Sequence, residues 1–181
     1  PWEDYRVGYG ARKNLGGGVI LDAIHELDLA MWMFGQSETI YCAGGKYSDL
    51  EIDVEDVAEI LLSYSDKVVS IHLDSVQKPP ERYCEIIGTG GQIRADLFGR
   101  TLRYFDGEAR AWQSGGDYCA IDETYKHEMR HFLDCLDGRA TSAVDGKTAM
   151  DSLELAEDVR KSMERNLPVS SSRITAMAAS R

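Results

Sequence analysis

The chain has 181 residues, of which 43% are hydrophobic and 28% charged, enough for one globular core. Its formal net charge of −11 excludes a surface built to track a phosphate backbone, because that affinity comes largely from lysine and arginine. Cys42, Cys84, Cys119 and Cys135 are widely spaced, with neither CxxC pairs nor finger-spaced histidines, so reduced thiols are expected rather than a disulfide framework or a zinc site.

Pro1 to Leu15 is polar and aromatic without a clean period and runs into Gly16, Gly17 and Gly18, where the backbone is free to turn tightly. From there Ile20, Ile24, Leu27, Met31 and Phe34 recur at helical spacing and Gly35 follows, which predicts one helix over 18–34. Asp22, His25, Glu26 and Asp28 interrupt its apolar run, which therefore falls short of the roughly 20 apolar residues of a membrane span. The first residues show no secretory leader, and cytoplasm is the expected compartment.

Segments 54–64 and 67–76 are rich in β-branched residues and separated by Ser65 and Asp66, a hairpin pattern. In the second, Val69, Ile71 and Leu73 share one face and Ser70, His72 and Asp74 the other, a polar face for solvent or a second subunit. Strand-like pieces follow at 83–87, 92–97, 101–105 and 109–113, punctuated by glycines; the stretch from Gly88 to Gly91 reads as a turn between strands. Tyr125, Met129, Phe132, Leu133 and Leu136 then line one helix, and Met150, Leu153, Leu155, Ala156 and Val159 a last one over about 145–165. Trp32, Tyr125 and Phe132 are expected in the core. Helix, strands, then two helices is an α+β order: a predominantly antiparallel or mixed sheet with helices on one face, in a single domain over 1–181.

Chemistry concentrates in the first helix. At 100° per residue, Asp22, His25 and Asp28 lie one turn apart in succession, so a carboxylate and an imidazole point the same way. Such groups either face a polar cleft or satisfy one another, and an aspartate beside a histidine also suits a proton carrier near neutral pH. The same pattern is compatible with an ordinary satisfied pair. The outer two carboxylates diverge around the helix, so no metal site is expected. Arg12 and Lys13, just before the glycines, are placed either to meet a ligand hydroxyl or phosphate or to remain solvated loop charges. His127 and His131 are four apart on a helix, and neither is assigned a role.

The stretch "GGGVILDAIHELDLAMWMFG" resembles the Gly-Gly-Gly, Asp, His, Asp signature opening the long helix of the C-terminal domain of Gfo/Idh/MocA oxidoreductases. "PWEDYRVGYGARKNL", "IDVEDVAEILLSYSDKVVSIHLDSVQ", "CEIIGTGGQIRADL" and "YKHEMRHFLDCLDG" are similar, in order, to the segments around it, so the resemblance covers nearly the whole chain. It implies a dihydrodipicolinate-reductase-like substrate and oligomerisation domain, with a separate Rossmann domain, absent from this chain, binding NAD or NADP. It implies a sugar or nucleotide-sugar substrate, a homodimer or higher oligomer through the sheet face, and no nucleic-acid or membrane partner. His25 is then the acid/base and Asp22 orients it or holds a hydroxyl; Arg12, Lys13 and Asp28 are, from their positions beside this motif, the candidate substrate-binding residues. One departure is that Asp22 and His25 are three apart where many members have four. No GxGxxG is present, so the chain alone is expected to be inactive. The alternative is a non-catalytic dimerisation or ligand-binding module.

Overall fold

The computed structural model describes residues 4–117 and 120–172, so Cys119 lies outside the described residues. The fold is α+β, with two four-stranded antiparallel sheets in place of the single sheet expected. By its contacts the chain forms two compact units, 1–76 with 144–181 and 77–143.

The first unit begins with three short 3-10 turns, Tyr5–Val7, Tyr9–Ala11 and Lys13–Leu15, followed by helices α1 (Val19–Asp22) and α2 (Ile24–Phe34). The single helix expected over 18–34 is therefore interrupted: Ala23 departs from helical geometry at φ −99° and ψ 28°. Strands β1 (Thr39–Gly45), β2 (Val57–Ser63) and β3 (Val68–Asp74) follow. The hairpin of β2 and β3 turns through Ser65 and Asp66 as expected, with the Tyr64 N–H donating to the Lys67 carbonyl at 3.0 Å. Strand β1 has no counterpart in the sequence reading, because its inward-facing alternation of Ile40 and Cys42 ends in Gly44 and offers only two apolar positions.

The inward residues of the hairpin are Ala58, Ile60, Leu62 and Leu73, and with Ile20, Leu27, Ala30, Ile40 and Cys42 they form the buried core. Apolar burial of this kind is the main force holding a domain together. The helix later in the chain closes that core: 146–165 is helical, and Asp145 caps its start by accepting from the Thr148 N–H at 2.8 Å. Its buried stripe is Ser152, Leu155, Ala156, Val159 and Ser162, whereas Met150 and Leu153, expected on that side, are exposed. At 100° per residue both project well away from the direction of Leu155. Trp32 is likewise no core residue; it is 81% exposed, on the side of α2 away from Leu27 and Ala30.

The second unit is a meander of β4 (Tyr83–Gly88), β5 (Gly91–Asp96), β6 (Thr101–Asp106) and β7 (Ala111–Asp117), then α3 (Ile121–Leu136); with α3 named, the helix 146–165 is α4, and the strand Val169–Ser170, which pairs with β1, is β8. Gly88 to Gly91 is the turn of the β4 and β5 hairpin, as read from the sequence. One face carries Tyr83, Glu85, Arg94 and Arg103, with the Arg94 guanidinium 5.5 Å from the Tyr83 ring and that of Arg103 5.1 Å from the Trp112 ring. The other carries Ile86, Ile93, Leu102 and Tyr104, which line an open groove of about 470 Å³. Tyr125 and Phe132, expected in the core, are exposed on α3, because among the described residues of the unit no apolar surface covers that stripe.

The outward face of β2 and β3 carries an ionic cluster. Glu59 and His72 are cross-strand partners, with Glu59 Oε1 at 2.5 Å from His72 Nδ1, and Asp74 Oδ2 lies 3.1 Å from Nε2. The Glu59 carboxylate, more than that of Asp74, raises the imidazole pKa above its usual range, against a smaller effect of burial. A raised folded-state pKa contributes stability that is present below the unfolded value of about 6.5 and is lost as pH rises through the folded value. The stability difference between wild type and His72→Gln should therefore be larger at about pH 5.5 than at about pH 8.5 in thermal denaturation. Equal differences at the two pH values would contradict this account.

Candidate active site

Two loops build the site. The first, 4–18, doubles back on itself: the Gly17 N–H donates to the Arg12 carbonyl at 3.0 Å and the Gly18 N–H to the Gly10 carbonyl at 3.1 Å. A Cβ at Gly17 would lie 2.4 Å from the Tyr9 carbonyl oxygen and 2.6 Å from that of Gly10, so only glycine lets these strands of loop approach. Gly18 has φ 114°, and its Cβ would fall 2.2 Å from Glu55 Oε1. Here the glycine triplet serves close backbone approach and a left-handed turn.

The second loop, 46–56, holds the first from the side. The Asp53 N–H donates to the Ala11 carbonyl at 3.2 Å, and Asp53 Oδ1 accepts from the Lys13 N–H at 2.7 Å. The Glu55 carbonyl accepts from the Val19 N–H at 3.1 Å and its carboxylate from the Ile20 N–H at 3.3 Å, meeting two donors that open α1. Asp56 anchors this loop. It is fully buried and accepts from the Tyr47 N–H (2.7 Å), the Ser48 N–H (3.0 Å) and the Ser48 hydroxyl (2.5 Å). Burial by itself pushes its carboxyl upward, but these bonds and nearby Lys46 together hold it below the usual carboxylate range.

On this frame Asp22 ends α1 and His25 lies just inside α2, both exposed. Asp22 Oδ1 accepts from the Tyr9 hydroxyl at 2.5 Å, and His25 Nε2 lies 3.3 Å from Glu26 Oε1. Among the described residues Asp22 and His25 are not bonded to each other, since the shared face assumed an unbroken helix and the helix is interrupted at Ala23 between them. Bonding to Asp22 raises the Tyr9 phenol pKa above its ordinary range, so it stays a neutral donor. Asp28 is turned to α4, where Oδ1 accepts from the Ser152 hydroxyl at 2.5 Å. Arg12 is half-buried and Lys13 exposed on the loop that carries Tyr9. The structure thus groups Asp22, Tyr9, Arg12 and Lys13 around the glycine turn, with His25 opening the next helix and Asp28 engaged elsewhere.

Tyr9 and Glu55 were not singled out in the sequence. Tyr9 stands in a segment without a period, and Glu55 is one of four acids in six residues, a pattern that reads as a solvated loop. His131 Nε2 accepts from the Ala143 N–H at 3.1 Å. Among the described residues no group of three or more His, Cys, Asp or Glu side chains could hold a metal ion, and no helix is long and apolar enough to cross a membrane.

Residues 3–170 match the family described as "Oxidoreductase family, C-terminal alpha/beta domain", that of the Gfo/Idh/MocA proteins. The chain belongs to the Gfo/Idh/MocA oxidoreductase family. Solved structures repeat the fold of this Gfo/Idh/MocA domain. A levoglucosan dehydrogenase in complex with NADH and levoglucosan superposes with a TM-score of 0.80 at 15% identity, over 92% of this chain and 54% of its own. An Agrobacterium radiobacter oxidoreductase in complex with NAD+, L-tartaric acid and magnesium gives 0.74 at 21%, over 92% and 52%. The WlbA dehydrogenase of Bordetella pertussis, in complex with NADH and UDP-GlcNAcA, gives 0.66 at 19%, over 85% and 48%. The chain therefore spans about half the length of these structures. No curated protein matches it.

The Glu55 contact makes a specific demand on position 18. Gly18→Ala combines a left-handed backbone with a clash on the Glu55 carboxylate and should destabilise the protein by about 1–3 kcal/mol in urea denaturation. An unchanged midpoint would show that the loop yields at no cost.

Proposed function

We propose that the full-length protein is an NAD(P)-dependent oxidoreductase acting on a hydroxyl of a sugar or nucleotide-sugar, with this domain supplying the substrate side of the site. The single observation carrying this reading is family membership over residues 3–170, with His25 standing exposed at the start of α2 in the matched segment. The neighbours crystallised with levoglucosan and UDP-GlcNAcA support the substrate class, and the nicotinamide would be held mainly by a Rossmann domain outside this one. That cofactor, when bound, accepts the hydride from the carbinol carbon.

The residues of this chain do the rest. The His25 imidazole takes the hydroxyl proton as the carbonyl forms and returns it in the reverse direction, with the Glu26 carboxylate 3.3 Å from its Nε2. Asp22 orients a neighbouring hydroxyl, and Arg12 and Lys13 meet ligand oxygens or a phosphate, which an arginine fork grips in two places. Asp28, bonded to Ser152, enters as a packing contact. Free thiols at Cys42, Cys84 and Cys135 fit a reducing compartment such as the cytoplasm.

In the full-length protein, assayed with NAD+ and NADP+ on UDP-GlcNAcA, levoglucosan and L-tartrate, His25→Ala should lower kcat by about two to four orders of magnitude and leave the fold intact. Turnover near wild type would make His25 structural.

The second reading, an oligomerisation role, is favoured by the outward face of β2 and β3, where Leu61 and Val68 are exposed beside Ser70 and His72. A two-fold interface here would use the same strand residues on both sides and bury about 800 Å² per partner. Sedimentation should show a dimer that Ser70→Arg converts to monomer. A wild-type monomer, or a dimer indifferent to the arginine, rules this face out.

A further inference from the structure

Tyr9 is exposed over 61% of its surface, yet both its ends are fixed. Its hydroxyl donates to Asp22 Oδ1 at 2.5 Å. Its carbonyl accepts from the Arg12 N–H at 3.0 Å and lies where a Cβ at Gly17 would approach to 2.4 Å, so the glycine turn sets the backbone from which the phenol reaches. Asp22 stands at the break between α1 and α2, where no continuous helix orients it toward His25. Among the described residues the Tyr9 hydroxyl is the one hydrogen-bond donor to its carboxylate, and Oδ2 is left without a bond.

We propose that Tyr9 is a positioning residue of the site: its phenol holds the Asp22 carboxylate in one orientation across the helix break, leaving Oδ2 to accept from a hydroxyl of a polyhydroxylated ligand. The proposal rests on the reading of Asp22 and His25 as the substrate side of an oxidoreductase. It also gives Gly17 a role in the chemistry, because the close approach that only glycine permits fixes where the phenol begins. A phenol serves better here than a charged donor, since it fixes one oxygen without neutralising the carboxylate that the ligand must meet. A tyrosine that only packed the loop would matter to stability alone.

The experiment has a part that needs no turnover. In the full-length protein with 13C-labelled tyrosine rings, Tyr9 should titrate above the ordinary value of about 10, and Asp22→Asn and Gly17→Ala should each return it toward that value. Identical Tyr9 titrations in wild type and Asp22→Asn overturn the proposal, whatever His25 does. In the kinetic part, on whichever of UDP-GlcNAcA, levoglucosan or L-tartrate the protein oxidises, Tyr9→Phe should lower kcat by about ten- to a hundredfold and change KM by less than about threefold. Adding it to Asp22→Asn should cause no further loss, because the two act as one unit. A wild-type kcat in a folded Tyr9→Phe protein, or additive losses in the double variant, overturns the positioning role. Full turnover in His25→Ala with a lowered kcat in Tyr9→Phe would remove the reading of His25 and leave Tyr9 acting through Asp22.

Discussion

Asp56 is the constraint on which the site depends. A fully buried carboxylate is tolerated only when its charge is met by donors, and three hydrogen bonds from Tyr47 and Ser48 do so. The main chain of Asp56 is committed as well, its N–H to the Gly45 carbonyl at 3.1 Å and its carbonyl to the Ser75 N–H at 2.9 Å. Side chain and backbone together tie the loop 46–56 to the ends of β1 and β3. Glu55 is thereby delivered to the first turn of α1 and Asp53 to the loop of Tyr9. Asp53 of the same loop bonds Ala11 and Lys13 in the loop that carries Tyr9, and Tyr9 in turn bonds Asp22.

The core behind this frame is closed by α4, which brings polar groups with it. Ser162 lies buried and accepts from the Cys42 N–H at 3.0 Å while donating to the Leu167 carbonyl at 2.7 Å. Ser152 ties Asp28 to the same helix, and Asp158 accepts from the Ser172 N–H at 2.8 Å. Each satisfies a group that burial would otherwise strand, which is the usual condition for polar atoms inside a protein. The histidine-bearing helix is thus oriented by both apolar packing and directional bonds.

The second unit presents its apolar groups differently. Ile93 and Tyr104 remain exposed on one face of its sheet, and Tyr125, Phe132 and Leu136 form an exposed stripe along α3. The opposite face of the sheet is charged and aromatic, held by arginines stacked on Tyr83 and Trp112. Strand alternation accounts for the division, since cross-strand partners share a face.

By itself the sequence determined what depends on neighbours along the chain: the hairpin of β2 and β3 from its alternation and its Ser65–Asp66 turn, the meander from its glycines, and α3 and α4 from their period. The motif from Gly16 to Asp28 stood out in the sequence as the candidate place of chemistry, because polar residues interrupting an apolar helix need a reason to be there. Only the tertiary structure decided which groups meet. The partner of Asp22 is Tyr9, 13 residues earlier, and that of Asp28 is Ser152, 124 residues later, distances along the chain that no local period encodes. The helix break at Ala23 belongs to the same class: both helices pack on the core, α1 through Val19 and Ile20 and α2 through Leu27 and Ala30, but Glu55, 35 residues after Ile20, meets the N–H groups that open α1, a contact that local spacing does not encode.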